Sequence, residues 1–159
     1  METTSQTYNP ILIANYFVKK SLDEDVQLTP MKLVKLVYIA HGWNLALQDR
    51  PLLSETVQAW KYGPVLPSIY HAFKQYGADQ INEMAVPGND EFEEIDAKTR
   101  ELLDNVWGAY KNYTGSQLST ITHMVGTPWD AATKDGKKNI TDDAIKAHYK
   151  NLNNPKSGH

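Results

Sequence analysis

Cysteine is absent from this 159-residue chain, which removes disulfides, thiol nucleophiles and cysteine metal sites together. An intracellular protein is the simplest reading. A basic surplus is absent as well. The formal net charge of -3 argues against binding nucleic acid chiefly by neutralising phosphates. No apolar run approaches the roughly 20 residues that a membrane-spanning helix needs, and Met1 to Asn9 is polar with no signal core. The expectation is therefore a cytoplasmic protein with no membrane partner. Glycine-rich phosphate loops of the Walker and GxGxxG kinds are missing, and no Gly-x-Ser-x-Gly elbow is present. The five histidines, His41, His71, His123, His148 and His159, show no metal-binding spacing. Neither metal nor cofactor is expected. An enzyme would have to assemble its site from distant residues such as His41, His123 and a carboxylate. The reading is non-enzymatic, with a small histidine-dependent hydrolase as an alternative.

Hydrophobic residues make up 41% of the chain, enough to bury one core. The fold class expected is mainly α: a compact single-domain helical bundle of about six or seven helices with one short strand or hairpin. It spans residues 9–152 between a flexible N-terminus, 1–8, and a polar tail, 153–159. Helix starts are written clearly, because a capping side chain is followed at once by proline in Asn9-Pro10, Thr29-Pro30 and Thr127-Pro128. The first helix is predicted from Pro10 to about Ser21, with Ile13, Tyr16 and Phe17 inward. The second runs from Pro30 to about Gln48, and its stripe of Leu33, Leu36, Val37, Ala40, Trp43 and Leu47 marks the centre of the core. A short strand follows within Glu55 to Trp60 and is ended by Gly63-Pro64. A third helix carries Ile69, Tyr70, Phe73 and Tyr76 and stops at Gly77. Residues 78–94, including Pro87-Gly88-Asn89-Asp90, read as a mobile loop. Later helices bury Leu102, Leu103, Val106, Trp107 and Tyr110, then Leu118, Ile121 and Val125, then Trp129 and Ala132. Thr141 caps a last helix with Ile145, Tyr149 and Leu152.

Between Thr29 and Gly77 lies the most distinctive stretch, where two helix patterns are joined by the knot Ala59-Trp60-Lys61-Tyr62-Gly63-Pro64-Val65. Trp60 and Trp129 suit core or seam positions. Tyr62 reads equally as a packing wedge or as an exposed interface anchor. His41 is expected to be partly buried and satisfied by a backbone carbonyl, and His123 to bond the turn that follows it. Charge is uneven: eight acidic residues between Glu83 and Asp104 face only Lys98 and Arg100, while Lys134 to His159 is lysine-rich. Solvated faces explain this, and an acidic surface that steers a basic partner is the sharper reading.

Several blocks together carry a resemblance. They are Ala14-Asn15-Tyr16-Phe17; Thr29-Pro30-Met31-Lys32-Leu33 with Lys35, Leu36 and Tyr38; the Trp60 to Val65 knot with Gly63 and Pro64; Tyr70, Phe73, Lys74, Tyr76 and Gly77; and Leu118-Ser119, Thr122-His123 and Pro128-Trp129 with Ala132. Over about Ala14 to Ala132 the chain resembles the Panacea antitoxin domain family, SocA-like and phage-associated GepA-like. Val34 stands where that resemblance leads one to expect glutamine. The resemblance implies a mainly helical antitoxin of a toxin-antitoxin system that neutralises a cognate toxin protein by direct binding. It also implies two alternatives: a proteolytic adaptor presenting the toxin to an ATP-dependent protease, and a DNA-binding autoregulator. The acidic balance ranks nucleic acid low as a partner, and a homo-oligomer is compatible with the pattern. Lys61, Tyr62 and Lys74 are the candidate toxin contacts. Thr29, Pro30, Met31, Lys32, Leu33, Leu36, Tyr38, Trp60, Gly63, Pro64, Tyr70, Phe73, Gly77, Thr122, His123, Pro128 and Trp129 are the motif residues expected to build the fold.

Overall fold

The computed structural model describes residues 6–85 and 90–153. Seven α-helices and a small three-stranded sheet make it mainly α. The helices are α1 (Pro10–Glu24), α2 (Pro30–Gln48), α3 (Pro67–Phe73), α4 (Ala97–Tyr110), α5 (Gly115–His123), α6 (Pro128–Lys134) and α7 (Asp142–Asn153). The strands are β1 (Val57–Trp60), β2 (Gly63–Val65) and β3 (Asn139–Ile140). Each cap-proline pair opens a helix as read. Asn9 accepts from the Ile11 amide, Thr29 from Lys32 and Thr127 from Asp130, while Pro10, Pro30 and Pro128 occupy the first helical turn. Asp96 and Thr114 cap α4 and α5, the latter in a reciprocal pair with Gln117.

Helix α2 is the axle of the fold. It packs against α1, α3, α4, α5 and α7, so it is buried on every side from Lys32 to Gly42 rather than along one stripe. Close approach by α7 depends on Gly42, where a Cβ would lie 2.3 Å from the Tyr149 ring. Beyond that crossing Asn44 and Leu45 stay buried and Trp43 and Gln48 still reach α4, but Leu47 is 55% exposed although its spacing placed it inward. Burial is dense enough to leave the Tyr38 hydroxyl without a hydrogen-bond partner among the described residues.

Several expectations are corrected. Gly63-Pro64 does not end the strand but begins β2, which pairs antiparallel with β1 (Ala59↔Pro64, Trp60↔Gly63). Proline fits there because β2 is an edge strand in the order β2-β1-β3, where one missing ladder donor is tolerated. Strand β3 was unforeseen, since two residues are too few to show alternation. Helix α3 ends at Phe73 and tightens into a 3-10 turn, Lys74–Tyr76, before Gly77 at φ 59°. Tyr70, Ile121, Val125 and Leu152, expected inward, are exposed. Val125 also lies past the end of α5 at His123.

Residues 78–85 are irregular as read, yet they are tied down. Ile81 donates its amide to the Leu28 carbonyl, and the Asn15 side chain exchanges two hydrogen bonds with the Ala85 backbone. Pro87, Gly88 and Asn89 lie outside the described residues, as do 1–5 and 154–159. Tyr8, assigned to the flexible N-terminus by sequence, is buried, bridges Leu53, and accepts the Asp96 amide at its hydroxyl.

Candidate partner-binding groove

At the N-terminal end of α2, the helix, the β1-β2 hairpin and α3 enclose a groove of about 490 Å3. Helix α2 contributes Met31, Val34 and Lys35, which share one face at three- and four-residue spacing. The hairpin contributes Trp60 and its two-residue turn, Lys61-Tyr62. α3 and the 3-10 turn contribute Tyr70 and Lys74. Gly63 makes the turn workable: it takes φ 119°, a backbone region that side chains resist. A Cβ there would also lie 3.0 Å from Lys35 Nζ and 3.6 Å from the His123 ring.

All three contact candidates read from sequence, Lys61, Tyr62 and Lys74, line this groove. Tyr62 is 61% exposed, so its side chain stands free while its carbonyl accepts from the Ser119 hydroxyl at 2.8 Å. Lys61 Nζ lies 5.4 Å from the Tyr62 ring centroid. Trp60 sits on the seam, half-buried, with its ring 5.2 Å edge-on from Tyr70 and its carbonyl accepting Trp129 Nε1. Of the residues assigned to fold-building, Pro30, Lys32, Leu33, Leu36, Tyr38, Gly63, Pro64, Phe73, Thr122 and Pro128 are buried. Trp129, His123 and Thr29 are half-buried. Met31 and Tyr70 instead present exposed apolar surface to the groove.

Two buried lysines distinguish the groove end of α2. Lys32 Nζ donates to the Gln27 and Lys111 carbonyls, the second lying at the C-terminus of α4 where carbonyls lack helical partners. Lys35, 3% exposed, donates among the described residues only to the Pro64 carbonyl, at 3.0 Å. Burial pushes its ammonium down to about 8, and burial lowers that of Lys32 as well. Among the described residues no aspartate or glutamate lines the groove. Sequence reasoning passed over Lys35 as a site residue. Its signal was a cation inside the otherwise apolar run Leu33 to Ala40.

The two histidines weighed as catalytic are apart in their partnerships. His41 is fully buried, accepts the Leu52 amide at Nδ1, and faces Asp142 Oδ1 from Nε2 at 2.9 Å. That geometry assigns the proton to Nε2, and the partner is a carboxylate rather than the backbone carbonyl expected. His123 Nδ1 lies on the Ser119 carbonyl one turn back, not on the turn ahead. Among the described residues no group of three or more His, Asp or Glu is placed to hold a metal, and no helix is long and apolar enough to cross a membrane.

A second groove, about 670 Å3, flanks the other end of α2, between Trp43, Leu47 and Gln48 and the α4 residues Lys98, Glu101 and Tyr110.

The family model described as "Antitoxin SocA-like, Panacea domain" matches residues 33–130. The chain belongs to this family. "Antitoxin SocA" of Caulobacter vibrioides (strain NA1000 / CB15N) is 29% identical over 143 residues, which cover 85% of this chain and 76% of that protein. No solved structure matches. Within this Panacea domain the matched span includes Lys35, the hairpin and Lys74, and it begins two residues after Met31.

Proposed function

We propose that this Panacea-domain protein is an antitoxin that neutralises a cognate toxin protein in the cytoplasm by binding it directly, with the groove at the N-terminal end of α2 as the contact surface and no chemistry of its own. One observation carries the reading: Tyr62, Tyr70 and Met31, exposed aromatic and thioether side chains, surround a concave surface framed by α2, the hairpin and α3. Interfaces draw most of their affinity from a few such anchors, and inhibition by occlusion requires only complementarity.

The hydrolase alternative ranks lower because both ring nitrogens of His41 are occupied inside the core. The DNA-binding alternative ranks lower because the one-turn lysine pair on α7, Lys146 and Lys150, faces Asp49. Presentation to an ATP-dependent protease needs a second exposed surface beside the toxin contact. Met124 and Val125, the latter 83% exposed, supply an apolar one after α5.

The test is co-expression with the product of the adjacent gene. Growth arrest relieved by this protein supports the reading. Tyr62→Ala, with an unchanged circular dichroism spectrum, is expected to weaken the purified complex by about 30-fold, the scale of an interface hot spot. Wild-type affinity in that variant removes this face from the interface.

A further inference from the structure

We propose that the groove recognises a carboxylate: an aspartate or glutamate on a protruding apolar segment of the partner protein enters between Tyr62 and Tyr70 and pairs with Lys35 on the groove wall. The inference rests on the groove being the toxin contact. An ammonium carries three donors, and Lys35 spends one of them on the Pro64 carbonyl, leaving two without an acceptor among the described residues. A buried cation in that condition raises the free energy of the isolated protein, and a carboxylate brought in by a partner offsets the cost.

The charged and titratable neighbours are Lys61, Tyr62, Tyr70 and Lys74 in the groove and His123 of α5, whose ring, like the Lys35 ammonium, lies against Gly63; none of them is an acid that already pairs with Lys35. Lys61 and Lys74 stand at the rim with no carboxylate within ion-pair distance among the described residues, a condition they share with Lys98, Lys137 and Lys138 elsewhere on the surface but here combined with a buried third lysine. The chain carries a net charge of -3, so this is a local positive site on an acidic protein, suited to steering a negative group inward. Trp60, Tyr62, Tyr70, Met31 and Val34 line the groove, and a lower local dielectric beside such side chains strengthens a pair formed against them. A phosphate is the poorer fit, because one largely buried ammonium offers neither the arginine fork nor the cluster of backbone amides that phosphates favour.

The experiment measures binding of the purified adjacent-gene product to wild type, Lys35→Met and Tyr62→Ala between about pH 6.5 and 9.5. It then repeats the neutral-pH measurement with toxin variants in which single acidic residues are changed to the matching amide. Lys35→Met keeps the length of the side chain and is expected to weaken binding by about 100-fold at neutral pH, as for removal of one member of a buried pair, while its unfolding midpoint stays equal or rises. Wild-type affinity is expected to fall as pH rises through about 8, where burial holds the free ammonium, and the Lys35→Met profile is expected to be flat. One toxin Asp→Asn or Glu→Gln change should reproduce the loss and add nothing further in Lys35→Met. If Tyr62→Ala loses binding but Lys35→Met binds like wild type with a flat pH profile, the carboxylate is overturned and the groove stands. If Tyr62→Ala binds like wild type, the groove itself falls. If Lys35→Met loses binding but no acidic toxin residue couples to it, the occupant is a terminal or free carboxylate and the proposal is overturned.

Discussion

The two ends of α2 carry grooves of opposite character. At the C-terminal end the groove is larger, about 670 Å3 against about 490 Å3, and its less exposed polar side chains, Trp43, Gln48 and Tyr110, have partners. Trp43 Nε1 donates to the Tyr110 hydroxyl, and Gln48 reaches both Asn44 and Thr99. Its rim holds one charge of each sign, Lys98 and Glu101. At the N-terminal end the groove is smaller, yet among the described residues its lining holds three lysines and no carboxylate, and one of the three, Lys35, is buried with a single acceptor for its ammonium. Apolar volume is thus a poor guide to recognition. A polar group kept inside at a cost is a better one, because folding alone disfavours it.

The sharpest way to test that contrast is stability against pH. In the unfolded chain Lys35 titrates near its ordinary value of 10.5, and in the fold near about 8. Between those values the unfolded state binds more protons, so stability rises with pH across the window, and the cost is fully present below about 8. At neutral pH it is on the order of 3 kcal/mol. Lys35→Met is expected to stabilise the free protein by up to about that amount at pH 7 and to remove the rise, both read from denaturant midpoints. A Lys35→Met protein less stable than wild type would mean that the lysine is a structural asset, and the contrast between the ends would dissolve.

Next in size is the interface itself. Tyr62→Ala is expected to cost about 2 kcal/mol of toxin affinity, whereas Leu47→Ala at the other end should change it by less than about 0.5 kcal/mol. Equal losses would mean that both ends touch the partner. Smallest is the middle of the helix, where Tyr38→Phe removes an unpartnered buried hydroxyl. A gain of about 1 kcal/mol in unfolding free energy is expected, and a loss would show that the hydroxyl has a partner in solution.

The charge unevenness read from sequence also resolves by region. Asp96 and Asp104, within the acidic stretch, are engaged by Arg50 and by Lys20. Burial pushes Asp96 upward, but hydrogen bonds from Thr99 and Arg50 outweigh it and hold the carboxyl down to about 2. Lys134 and Lys146, within the basic stretch, face Asp130 and Asp49. These four residues work within the fold, whereas Glu91 has its carboxyl pushed up by the neighbouring carboxylates of Glu94, Glu93 and Asp90.

How far the residues could be read depended on how local the cause was. Helix starts were legible because cap and proline act within four residues, and seven helices with one hairpin lay within the expected range. Leu47, Ile121, Val125 and Leu152 were misplaced because periodicity gives the face of a helix but not where its neighbour ends. β2 was taken for a terminator because Gly-Pro breaks most strands and is admitted only at a sheet edge, a property of the sheet. His41 was recognised as satisfied, but its partners, Asp142 and Leu52, come from α7 and from the segment after α2.

By itself, the order of amino acids determined the helical starts, the central place of α2 and the first strand with its aromatic turn, since those follow from capping, period and bulk along neighbouring residues. Only the tertiary structure decided that Met31, Lys35, Tyr62, Tyr70 and Lys74 line one groove, and that Lys35 enters it with a single acceptor. The physical reason is that burial and hydrogen-bond satisfaction belong to the packed neighbourhood: the Pro64 carbonyl and the position of Gly63 beside the ammonium exist for Lys35 only after the hairpin has closed over α2.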